Sequence, residues 1–257
     1  MLIDKLEKNL LLISLLLVLY IWECLFPYFG TFLNKTRHAA RNLTVVAINF
    51  AVANVLLVPL VVFSTHTQWG VFRLVSLSEG AELVLTIVLI DLLTYAMHVL
   101  YHTRSFLWRF HRMHHSDPEM DVTSGARFHL GEHILSTCVR CVLYVVFGIK
   151  LEYVLVYEIF LLANVLFHHA NISIGEPLDK LYRLVLASPH MHKVHHSDIP
   201  CETNSNYTSL FSVWDRLFGT YRIAANPKDI IFGIKGLENE QTVKKMLMTP
   251  LKSIDTP

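Results

Sequence analysis

Fifteen histidines in 257 residues are the chemical outlier of this sequence, and most of them fall in short, regularly spaced groups. H-V-L-Y-H places His98 and His102 four residues apart, on one face of a helix. H-R-M-H-H contributes His111, His114 and His115, and the pattern returns in H-K-V-H-H with His192, His195 and His196. Imidazole nitrogens ligate iron, zinc, copper and nickel, and spacings of three and four let one helix supply several of them. N-V-L-F-H-H adds His168, with Asn164 one helical turn before it and His169 beside it. One of this adjacent pair is expected to be a ligand, with His168 in the leading place, and the other a hydrogen-bonding residue. A-R-F-H-L-G-E-H adds His129 and His133 around Glu132 as weaker candidates. The stronger candidates are His98, His102, His111, His114, His115, His168, His192, His195 and His196. They exceed one metal's coordination shell, so two metal ions sharing the set is the simpler expectation.

Running the His98, His102 face backward gives Tyr95 and Asp91, a polar stripe on an otherwise apolar helix. An acid and imidazoles inside an apolar segment read as functional. Asp91, Tyr95 and Asn164 are therefore the expected catalytic groups, and Trp108 and Phe110 the expected apolar walls. Asp91, Asp117, Glu132 and Asp198 are available as acceptors that fix imidazole tautomers. Two other chemistries fit parts of the pattern. His129, Glu132 and His133 spell H-x-x-E-H, an inverted zinc-protease signature that leaves both H-x-x-H-H copies unexplained. A membrane metal transporter or storage protein would want its ligands near the bilayer midplane, whereas these follow the apolar runs.

The elements that must position these residues are helical and membrane-embedded. Hydrophobic residues make up 53% of the chain and charged residues 17%, with a mean hydropathy of +0.42. A net charge of +1 offers no field to recruit nucleic acid. Stretches 9–26, 43–63 and 81–102 are apolar for about the 20 residues a spanning helix needs. Stretches 134–149 and 151–167 flank a Gly148, Ile149, Lys150 corner and read as a helical hairpin. Lys35, Arg37 and Arg41 after the first span, and Arg104, Arg109, Arg112 and Arg127 after the third, put those connections and every His group on the cytosolic side. The expected fold is thus all-α. It is an integral membrane bundle of three spans and a hairpin with a cytosolic, His-rich cap around a dimetal centre. It is read as one domain over 1–257, with spans in 1–80, a His-bearing core in 81–222 and a tail in 223–257. Cys24, Cys138, Cys141 and Cys201 read as packing thiols.

At these residues the chain resembles the fatty acid hydroxylase superfamily, in its bacterial sterol-desaturase-like branch. The resemblance runs through D-L-L-T-Y-A-M-H-V-L-Y-H, L-W-R-F-H-R-M-H-H-S-D-P-E-M-D-V-T, F-H-H-A-N-I, M-H-K-V-H-H-S-D, E-T-N-S-N-Y and W-D-R-L-F-G-T-Y, about half the chain. It implies two iron ions that activate dioxygen, and hydroxylation or desaturation of a C–H bond in a lipid such as a sterol or fatty acyl chain. It also implies a separate electron donor, cytochrome b5-like or a ferredoxin with its reductase. The location implied is a bacterial inner membrane, or the endoplasmic reticulum in a eukaryote. The sequence departs from the branch at Leu130 and Gly131, where relatives carry Pro and Leu, and at Thr208 in place of Gly. His190 stands where a basic residue is expected and is not counted as a ligand.

Overall fold

The computed structural model describes residues 5–30, 34–224, 226–237 and 241–252. Among them the chain is helical, with two isolated β-bridges, Leu186 to Phe211 and Ser197 to Phe232. The long helices are α1 (Lys5–Leu25), α2 (Lys35–Thr65), α3 (Glu79–Thr103), α5 (Leu130–Phe147) and α6 (Leu151–His169). Between and beyond them lie α4 (Ser105–His115), α7 (Glu176–Tyr182) and α8 (Pro189–His195), which build the cap.

Four of these, α2, α3, α5 and α6, are long and apolar enough to cross a membrane, which makes this a multi-pass membrane protein. The expected first span is α1, whose apolar run Leu10–Leu25 is shorter than the other four. Leu10, Ile13, Leu17, Ile21 and Leu25 leave its outer face exposed and apolar, while Leu19 packs inward on Val122, Leu166 and Ile172. Its Glu23 is fully buried and accepts the backbone N–H groups of Val122 at 3.0 Å and Asn171 at 2.9 Å, with Lys35 at 3.0 Å. A carboxylate so satisfied ties α1 to the cap at two distant points of the chain.

The second span starts earlier than its apolar run suggested, at Lys35 and not Leu43. Its first turns bury His38 and Asn42, and His38 lies 3.3 Å from Asp117. Hydropathy registers only the apolar stretch, but a helix continues through polar residues when partners satisfy them. A π turn at Ala53–Leu57 interrupts α2. Helix α3 is capped by Ser78, whose hydroxyl accepts from the Ala81 N–H, and Glu79 and Glu82 sit favourably in its first turn.

The α5–α6 hairpin forms as the Gly148 corner indicated. Gly148 ends α5 in the left-handed region at φ 69°, and a Cβ on Gly70 would meet the Gly148 backbone nitrogen at 2.3 Å. Two glycines thus let the α2–α3 loop lie against the hairpin tip. Between these helices Phe72, Ile90, Tyr144, Val154 and Tyr157 form the main apolar core.

Candidate metal centre

Helix α3 delivers His98 and His102 at its last turn, and α4 follows after Arg104 alone, so His111, His114 and His115 return to the same place. Helix α6 ends on His168 and His169, and α8 starts at Pro189 with Ser188 capping it, presenting His192 and His195 with His196 just beyond. Four helix ends therefore meet at one point, and nine imidazoles form two adjoining groups. His98, His102, His111, His115 and His195 make one, and His114, His169, His192 and His196 the other. All nine are buried.

Each H-x-x-H-H triplet is divided between the groups. His111 and His115, four apart, face one and His114 the other; His192 and His196 face the second and His195 the first. The division follows from helical phase, since positions four apart share a face that the position between them misses. The groups touch where His115 and His196 stack with ring centroids 4.3 Å apart.

The fit to metal ions rests on the nitrogens themselves. Nε2 of His98 lies 2.9 Å from Nε2 of His111 and 3.0 Å from that of His195; His169 Nε2 lies 3.1 Å from His114 Nε2 and from His192 Nε2. Two ligands at right angles on a metal with bonds of about 2.1 Å stand about 3.0 Å apart, so these separations match the edges a coordination shell would have. Orphaned buried nitrogens say the same. Both ring nitrogens of His102, Nε2 of His196, and Nδ1 of His114, His115 and His192 have no hydrogen-bond partner among the described residues.

Tautomers are set from outside. Nδ1–H of His98 donates to the Tyr207 carbonyl at 2.5 Å, that of His195 to Ser205 at 2.7 Å, and that of His169 to Val165 at 2.8 Å. His111 Nδ1–H donates to Glu132 Oε1 at 2.8 Å. Each bond leaves an Nε2 lone pair aimed inward. Burial, followed by the neighbouring imidazoles, pushes the basicity of His114, His115, His192 and His196 well below the ordinary value, and burial takes His195 to about 3. Neutral rings are what metal ligation requires.

Several expectations need correction. His169, not His168, joins a group: His168 stacks on His192 at 3.8 Å, with its Nδ1 3.3 Å from the Asn164 amide. Successive residues on a helix diverge by about 100°, so only one of an adjacent pair can point at a given metal. His129 is the N-cap of α5, its Nδ1 accepting from Gly131 N–H and its Nε2–H donating to Leu247, and it belongs to neither group. The inverted zinc signature is thereby taken apart, since Glu132 serves His111. Asp91 holds Tyr157, Trp214 and the Phe211 backbone and touches no imidazole. Tyr95 contacts Thr220 and stacks on Phe218, facing the cap. Asn164 donates to the carbonyls of Ala187 and Ser209, pinning α6 to the cap. Of the four acidic groups expected behind the imidazoles, Glu132 is the one hydrogen-bonded to a clustered ring among the described residues. Asp117 instead accepts from Ser124 and pairs with Arg127. Trp108 does wall the site, 5.1 Å from His102 and 5.5 Å from His115, while Phe110 packs on His129.

A cavity of about 410 Å³ opens beside the groups. His98, His111, His114, His169 and His192 form its polar end, and Val46, Phe50, Met97, Leu161, Leu162 and Val165 its apolar walls. The side of α3 that lines it is Thr94, Met97, His98 and Tyr101, about a quarter turn from the expected Asp91, Tyr95 stripe.

A family model for fatty acid hydroxylase matches residues 83–220. Over 156 residues the chain is 30% identical to the ornithine lipid hydroxylase OlsE of Rhizobium tropici, covering 60% of this chain and 46% of that protein. It is 25% identical over 173 residues to the alkylglycerol monooxygenase of Xenopus tropicalis, covering 65% and 36%. With the human alkylglycerol monooxygenase the identity is 25% over 154 residues, covering 56% and 31%. The chain thus spans less than half the length of these curated relatives. No solved structure matches it.

Proposed function

This chain belongs to the fatty acid hydroxylase family, and from that premise we propose that it hydroxylates a C–H bond of a membrane lipid with dioxygen at two histidine-bound iron ions. The observation that carries the reading is the convergence of nine imidazoles in two adjoining groups beside a largely apolar cavity between spanning helices. Matched relatives named as a hydroxylase and as monooxygenases favour hydroxylation over desaturation.

His98, His102, His111, His115 and His195 would hold one ion, and His114, His169, His192 and His196 the other. Five ligands exceed the four of a closed zinc site, which favours iron. Bound iron would supply dioxygen activation and the oxidising equivalent. The balance is one C–H and one dioxygen, with two electrons and two protons, giving C–OH and water. The electrons come from a separate donor protein, cytochrome b5-like or a ferredoxin with its reductase.

The chain's own residues perform the rest. Val46, Phe50, Leu161 and Leu162 hold an alkyl chain, and the imidazole end of the cavity fixes which part of it is presented. Trp108, 1% exposed, closes the far side of His102 and His115 against water. Glu132 keeps His111 oriented with its Nδ1 protonated. The basic residues of the connections favour this end of the bundle lying at the cytosolic surface of the membrane.

The test is to purify the protein in detergent, count its metals, and compare lipids from cells with and without it by mass spectrometry. Two irons per chain, reductant-dependent oxygen uptake and a lipid gaining one oxygen are expected. Zinc at one ion per chain, or lipids unchanged by the protein or by His114→Ala, would refute the reading.

A further inference from the structure

The cavity that ends at the imidazoles is not apolar throughout. Arg140 on α5 and Glu158 on α6 both line it, paired at 2.7 Å within spanning helices. A second Arg140 nitrogen, Nη2, donates to Thr94 Oγ1 on α3 at 3.0 Å. Thr94 itself donates to the Ile90 carbonyl and accepts from Tyr157. Charges inside a membrane are costly and are retained where they have a task.

A pair with only a packing role would use its hydrogen-bonding capacity up. This one does not. A guanidinium carries five N–H donors, of which two are engaged here, and Glu158 accepts through Oε1 alone among the described residues. The side chains remain 19% and 33% exposed, and both border the cavity. Free donors therefore stand beside a free acceptor, with no net charge between them. The complementary group is one that accepts and donates at once and is itself neutral.

We infer that Arg140 and Glu158, braced by Thr94, bind an amide of the lipid and thereby fix which carbon reaches the metal centre. This rests on the lipid-hydroxylase reading above. Thr94 lies one turn of α3 from His98, about 6 Å along the axis, and Arg140 is two turns from Glu132, about 12 Å. The oxidised carbon is thus several bonds from the polar group, and the substrate is a lipid with a hydrogen-bonding group at a set distance from that carbon, not a plain hydrocarbon chain.

The experiment compares three lipids of matched chain length, with an amide, an ester and an ether at the same position, offered to the reduced holoenzyme in mixed micelles. Product position is read by mass spectrometry, and iron per chain is measured for every sample. The wild type should oxidise the amide at least about tenfold faster than the ether and at one carbon, because leaving the pair unsatisfied is penalised. Arg140→Lys, which keeps the charge pair but loses the fork, and Glu158→Gln should keep two irons while losing that preference and spreading the position of oxidation. Thr94→Val reads the same ratio should either charge variant lose its metals. Equal rates on all three lipids, or variants with unchanged preference and position, overturn the inference and leave the hydroxylase reading intact. A wild type that binds two irons and oxidises none of the lipids overturns the reading itself.

Discussion

His169→Ala and His168→Ala, made side by side, test the division of the imidazoles most sharply. His169 Nε2 stands 3.1 Å from both His114 and His192, so its loss leaves three nitrogens where there were four. If a four-nitrogen site binds with about 10–16 kcal/mol, one ligand in four is worth roughly 2.5–4 kcal/mol. That is about 60- to 700-fold in affinity, since each 1.4 kcal/mol is tenfold. His168 belongs to neither group, and its removal leaves the nitrogens of both in place. The assay is metal content after dialysis against chelators of graded strength. His169→Ala should fall from two ions per chain to about one under conditions where His168→Ala keeps two. The reverse order, or equal loss from both, would refute the assignment of these neighbours.

Three other outcomes follow from the same geometry. A methyl at Gly125 would stand 3.1 Å from the Val165 carbonyl and 3.2 Å from the His169 ring, so Gly125→Ala should cost about 1–3 kcal/mol and weaken metal retention in the second group; an unshifted melting temperature with full metal would contradict this. Glu132→Gln frees the tautomer of His111 and should lower metal affinity about 10- to 100-fold with the helices intact by circular dichroism, and undiminished affinity would contradict the orienting role. Metal-free protein should be acid-labile. His195 is neutral in the fold down to about pH 3, and unfolded chains take up that proton near 6.5, so the stability it contributes is complete above pH 6.5 and lost as pH falls from there toward 3. Melts of chelated protein in detergent should therefore drop through that window, and a melting temperature that is flat or rising on acidification would overturn the sign.

The sequence was sufficient for the class of the molecule and for most of the imidazoles that cluster. Apolar runs of spanning length, the glycine corner at Gly148 and the repeated H-x-x-H-H are local signals, and hydropathy and helical spacing read them directly. Eight of the nine clustered imidazoles stand in the set expected from spacing alone, because positions three and four apart on a helix must share a neighbourhood. His38 and Glu23 escaped notice, since each is a lone polar residue whose partners, Asp117 for one and the Val122 and Asn171 backbones for the other, lie far along the chain.

Tertiary structure alone decided direction. Spacing cannot tell His168 from His169, or assign Asp91 to a hydrogen-bonded corner and Glu132 to the His111 ring. Those choices depend on how α3, α5 and α6 are rotated about their own axes, and that rotation is settled by packing among all the helices at once. The same rotation turned Thr94, Arg140 and Glu158, unremarkable in the linear chain, into neighbours on one cavity wall.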